Sequence, residues 1–237
     1  MTVGARAETP SGTGLRGPAR VAGLAGLAFA VLFVVGFTAL NTLPGPSAPD
    51  DEILRFYDDQ NKRQLSVVGA YIVPFSAIAF LWFIAALRTL LVDPNEQRSE
   101  TLSRVQLAAG ILFVAGAFVA AATASAAATS IEFFESSETD PALLRQLPQL
   151  GYSVMFVFTI RMAGMFIAVT SRLGRWLLPG WLTVIGYLLA AVLVLTVPFS
   201  ELIALVFPAW VIVLCAWLLL GPGRERGGAE AALHPGR

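Results

Sequence analysis

Among the residues able to do chemistry, Arg161 stands apart by position. It sits in Thr159-Ile160-Arg161-Met162-Ala163-Gly164-Met165 and is the single charge between Gln146 and Ser171. A lone guanidinium in apolar surroundings needs a counter-charge or hydrogen-bond acceptors. Glu201 is the first candidate partner and Glu132 the second, while Tyr71, Asn41 and freed backbone carbonyls are neutral alternatives. A pair of this kind can clamp two helices together, or it can form a ligand site that attracts an anion or a carboxylate. Other chemistry is poorly provided for. Met155, Met162 and Met165 flank the arginine, but with the one cysteine at Cys215 and the one histidine at His234 they read as adaptable packing rather than as ligands for a soft metal. No zinc-protease motif, Ser/His/Asp set or metal-ligand spacing is present, and intramembrane catalysis would need at least two convergent groups. The expectation is a non-enzyme without cofactor or metal.

The elements that must position Arg161 are apolar and long. Apolar residues make up 56% of the 237, charged residues 14%, and the mean hydropathy is +0.71, which places the chain among membrane proteins. Charge-poor runs predict an all-α bundle of six spans at about 21–41, 65–88, 105–129, 150–171, 178–198 and 201–220, each near the roughly 20 residues that cross a hydrocarbon core. Arg161 then lies ten residues past Gly151, about 15 Å deep. Facing lipid there would cost at least roughly 2.5 kcal/mol, so the bundle interior is its expected place. The last two spans are short, which brings Glu201 down toward it. Ser200 capping the sixth helix with Glu201 in its first turn explains that acid equally well without the arginine.

The charges orient the bundle. With both termini inside, 11 of the 16 basic residues fall on the inner side and four (Arg55, Lys62, Arg63 and Arg145) on the outer, Arg161 being the remaining one. Both ends are therefore expected in the cytoplasm of a bacterial cell. Residues 1–19 and 221–237 lack apolar periodicity and read as disordered tails, and no soluble domain large enough for nucleotide hydrolysis or nucleic-acid binding remains. On the outer side, Ser47 followed by Asp50 predicts a capped helix carrying Ile53, Leu54 and Tyr57 on one face. Asp140-Pro141 predicts another that ends at Pro148. Pro74 should kink the second span and free the carbonyl of residue 70. Gly23, Gly26, Gly110 and Gly116, with the small residues from Ala120 to Ala128, offer surfaces for close helix approach.

Arg175-Trp-Leu-Leu-Pro-Gly-Trp-Leu182, Thr159-Ile-Arg-Met-Ala163, Phe207-Pro-Ala-Trp210 and Phe80-Leu-Trp-Phe-Ile-Ala-Ala-Leu-Arg88 resemble uncharacterised multi-pass membrane proteins of actinobacteria over most of residues 20–220. That resemblance implies a membrane location and transfers no activity. Two functional classes follow from the residues. One is a bundle that binds a membrane lipid, a small apolar molecule, another membrane protein or a second copy of itself. The other is a carrier or channel subunit in which Arg161 attracts an anionic solute.

Overall fold

The computed structural model describes residues 16–45, 47–91, 97–134, 140–195 and 201–220, all of them helical or in short connections, with no strand. The helices are α1 (Arg16–Leu40), α2 (Asp50–Asp58), α3 (Gln60–Leu91), α4 (Gln97–Phe134), α5 (Pro141–Ser153), α6 (Ile160–Leu173), α7 (Gly180–Leu195) and α8 (Glu201–Leu220). A π-turn, Val154–Thr159, joins α5 to α6 without a break. The fold is the all-α membrane bundle that the apolar runs predict.

Five helical segments are long and apolar enough to cross a bilayer: Gly17–Leu40, Gln60–Leu91, Ser99–Phe134, Pro141–Trp176 and Leu202–Leu220. The fifth expected span, 178–198, appears as α7, whose 16 described residues make it a shorter apolar helix. Its expected end at 198 lies outside the described residues. So do the tails, except that Arg16–Ala19, expected to be disordered, already belong to α1.

Two boundary expectations are corrected. The N-cap of α2 is Pro49 and no side chain caps it, so Ser47 does not start the helix. A proline fits just before a first turn whose N–H groups have no helical acceptors in any case. Asp140 does cap α5, accepting from the Ala142 N–H at 2.9 Å, but Pro148 lies inside the helix instead of ending it. A proline costs one hydrogen bond and a local clash. Here its ring is buried, and the helix runs on within the fourth long apolar segment.

The centre of the bundle is aromatic. Phe29, Phe80, Phe113, Phe166 and Phe207, one from each of α1, α3, α4, α6 and α8, form a continuous ring cluster. Centroids stand 4.5 Å apart for Phe29–Phe80, 4.7 Å for Phe113–Phe207 and 5.3 Å for Phe80–Phe166. Tilted and edge-on pairs at these separations each add about 0.5–1.5 kcal/mol beyond their buried area. The cluster fills the centre of the bundle at this level with apolar rings.

Small residues let the helices close around those rings. A Cβ at Gly23 would come within 2.5 Å of Leu219, and one at Gly26 would overlap the Cys215 Sγ, so the first helix is seated directly on the last. Both termini of the described bundle therefore lie at one end, together with Arg20, Arg88, Arg104, Arg172 and Arg175. The opposite end carries α2 and α5. There a second apolar cluster joins Ile53, Phe56 and Tyr57 of α2 to Ala124, Ala127 and Ala128 of α4 and Leu144 of α5. Leu54, expected on the buried face of α2, is only half-buried, and Phe56 takes the inner position. Arg145 ties the layer down, donating to the Ala48 carbonyl at 2.8 Å and to the Asp50 carboxylate at 2.6 Å.

Candidate functional site

At the α2 end a partly open cavity of about 60 Å³ separates α1 from α4. Phe33, Phe37, Leu40 and Asn41 of α1 form one wall, and Ala117, Ala120, Ala121 and Ala124 of α4 form the other. Val73, Gly151, Tyr152 and Met155 complete it. The alanine run behaves in two ways. Gly151 rests on it, and a Cβ there would stand 2.6 Å from the Ala120 carbonyl oxygen, so α5 touches α4 backbone to backbone. On the side facing α1, the same short side chains leave space.

The cavity is apolar except at its lip. The Tyr152 hydroxyl donates to Asn41 Oδ1 at 3.0 Å, so the two polar side chains satisfy one another. Since a water needs roughly 10–15 Å³ and two to four polar partners, the volume would admit a few waters but the walls would not hold them. The space suits a few linked methylene groups. It is too small for the 300–1,000 Å³ typical of drug-sized ligands.

Arg161 does not line this cavity. The π-turn puts one extra residue into the α5–α6 rod, and its last N–H, from Ile160, reaches back five residues to the Met155 carbonyl. A helical side chain leans toward its own N-terminus. Arg161 therefore reaches back one turn, and its Nη1 donates to the Val157 carbonyl and, at 3.2 Å, to that of Phe156. Thr159 Oγ1 donates to the Val154 carbonyl at 3.1 Å, and a Cβ on Gly116 of α4 would overlap that hydroxyl. Turn, arginine and glycine thus form one unit. Arg161 is half-buried between two exposed residues on the same face, Phe158 and Met165. It sits at the bundle's rim, not in its interior as the sequence leads one to expect.

The other candidate residues are distributed differently. Glu132 accepts from Arg63 Nε and Nη2, each at 3.4 Å, and from Gln64 Nε2 at 3.0 Å, which fixes the end of α4 to the start of α3 and leaves Arg161 uninvolved. Glu201 opens α8, and its side chain lies outside the described residues, as does Ser200. Tyr71 is 69% exposed on the outward face of α3. Asn41 belongs to the cavity lip. Pro74 is exposed within α3, and the nearby Ser76 hydroxyl crosses to the Phe29 carbonyl of α1 at 3.3 Å.

Some polar positions are not singled out by the sequence. Tyr152 is one, because a tyrosine among apolar residues signals nothing until Asn41 is opposite it. Gln106 and Thr170, both fully buried, bond at 2.6 Å between α4 and α6, and Arg88 Nε donates to Ser103 at 2.7 Å. These pairs lock helices near the arginine-bearing end. Among the described residues, no three His, Cys, Asp or Glu side chains converge as a metal site would require. No protein-family description, curated protein or solved structure matches the chain.

Proposed function

We propose that this membrane protein is a non-enzymatic bundle that holds the hydrocarbon tail of a lipid in the cavity between α1 and α4. The observation that carries this reading is the cavity's composition: apolar walls, room for a few methylenes, and one self-satisfied polar pair at the end nearer the membrane surface. Burying each methylene contributes about 0.8 kcal/mol. The tight phenylalanine cluster favours binding over conduction, because a solute path along the axis would have to part five rings from five helices. By the bias of short basic segments, the end with Arg20, Arg88, Arg104, Arg172 and Arg175 faces the cytoplasm and the cavity lies in the outer half of the bilayer.

Filling the cavity tests the proposal. Ala121→Leu adds three carbons to its wall. Native mass spectrometry of gently purified protein should find a retained lipid on the parent and strip most of it from the variant, while the melting temperature without lipid stays level or rises. A parent that emerges with no bound lipid would remove the proposal.

A further inference from the structure

A second concavity lies beyond the lip of the first. Thr42, Pro44, Glu52, Phe56, Lys62 and Leu65 line a surface pocket of about 370 Å³ between the end of α1, the helix α2 and the start of α3. Its position relative to the tail cavity is set by the chain: Thr42 follows Asn41 directly. Leu65 and Val73 stand about two turns, or 12 Å, apart on the broad face of α3 that Gly69 packs against Ala39. The pocket is thus at headgroup depth when the cavity is at tail depth.

Its charges are set for one kind of ligand. Several nearby ionic groups are engaged, Asp50 with Arg145, Asp51 with Arg55 at 3.3 Å and Glu132 with Arg63, and the Asp59 carboxylate accepts from the backbone N–H groups of Asn61 and Lys62, while exposed Asp58 forms no ion pair among the described residues. Glu52 and Lys62 form no ion pair with each other or with any other described residue, and both are exposed on the walls of the same pocket. The Lys62 ammonium lies 5.9 Å from the centre of the Phe56 ring, held over an apolar floor. A carboxylate from α2 and an ammonium from α3 lining one pocket complement a molecule with a cation and an anion a few bonds apart. Combined with a tail cavity below, that molecule is a zwitterionic phospholipid.

Resting on the tail-binding reading above, we infer that this pocket selects a phosphoethanolamine headgroup, Lys62 taking the phosphate and Glu52 the primary ammonium. A quaternary choline has no N–H to donate to Glu52, and a glycerol headgroup has no cation. The full chain is reconstituted in nanodiscs containing equal parts of phosphatidylethanolamine, phosphatidylcholine and phosphatidylglycerol with matched chains, and the retained lipids are counted by native mass spectrometry. Phosphatidylethanolamine should be enriched about tenfold over each of the others, the ratio expected of one well-placed charged hydrogen bond. Glu52→Gln should erase the preference over choline, and Glu52→Lys should turn it toward phosphatidylglycerol. Both substitutions are at an exposed position and should leave the fold intact. Retention without headgroup preference, or a preference that ignores both substitutions, overturns this inference and leaves the tail site standing. Lipid retention that survives Ala121→Leu overturns the tail site instead. Soluble glycerophosphoethanolamine, which has the head but no tail, should not bind at the same concentration, and its tight binding would overturn assignment to a lipid.

Discussion

At the scale of the residue, the sequence poses the question of Arg161 and only the structure answers it. A charge in a long apolar run announces that something must satisfy it, but not what. The acceptors turn out to be backbone carbonyls of its own helix, one of the alternatives left open, and a sequence cannot rank them because every residue has one. Tyr57 shows the same limit. Its spacing with Ile53 places it on the buried face of α2, as expected, but its hydroxyl is enclosed with no hydrogen-bond partner among the described residues, and burial pushes its pKa up to about 12. Since the unfolded chain ionises near 10, the stability linked to this hydroxyl is intact below pH 10 and is lost as pH rises toward 12, by on the order of 2 kcal/mol. Tyr57→Phe should be neutral or stabilising by about 1 kcal/mol at pH 7. It should also flatten the parent's alkaline loss in melting curves between pH 9 and 12. Identical curves for both proteins would show that Tyr57 titrates as if exposed.

At the scale of the element, five of the six charge-poor runs fall on long apolar helices, because a bilayer filters on length and apolarity alone. Irregularities inside a helix leave weaker traces. Pro148 reads as a stop and is not one, while Val154–Thr159 reads as ordinary apolar helix and contains the π-turn. A π-turn amounts to one residue inserted into an α-helix. Removing Phe158, which faces outward, should let the rod become α-helical while both flanks keep their seats, Gly151 on Ala120 and Gly164 on Leu193 and Val194. Removing Val169 from regular α6 should turn everything beyond it by about 100° and misplace its buried face. The Phe158 deletion should give monodisperse protein melting within a few degrees of the parent, and the Val169 deletion should give none. Equal damage from both would mean that the turn absorbs no extra residue.

At the scale of the whole molecule, the all-α bundle is legible from composition, but the cavity is not. It depends on how far α1 stands from α4, and the alanines of α4 look like a surface for close approach over their entire length. They serve as one where Gly151 meets them and where α2 and α5 pack on Ala124, Ala127 and Ala128, but not on the side facing α1. The aromatic plug likewise appears only when five distant phenylalanines are brought to one level. It carries a functional consequence: proteoliposomes should take up labelled anions no faster than empty vesicles, and Arg161→Gln should change nothing. Uptake by the parent that disappears in that variant would establish the carrier reading in place of the binding one.

The contact between α1 and α8 also bears on how the protein is made. Gly23 and Gly26 of α1 are seated against Leu219 and Cys215, among the last described residues of α8. During synthesis that groove must wait, open to lipid, until α8 leaves the ribosome. A chain cut short before residue 201 would keep it permanently uncovered, along with the empty place of Phe207 in the ring cluster. Quality-control proteases that survey the membrane would have a clear mark by which to tell the unfinished product from the complete one.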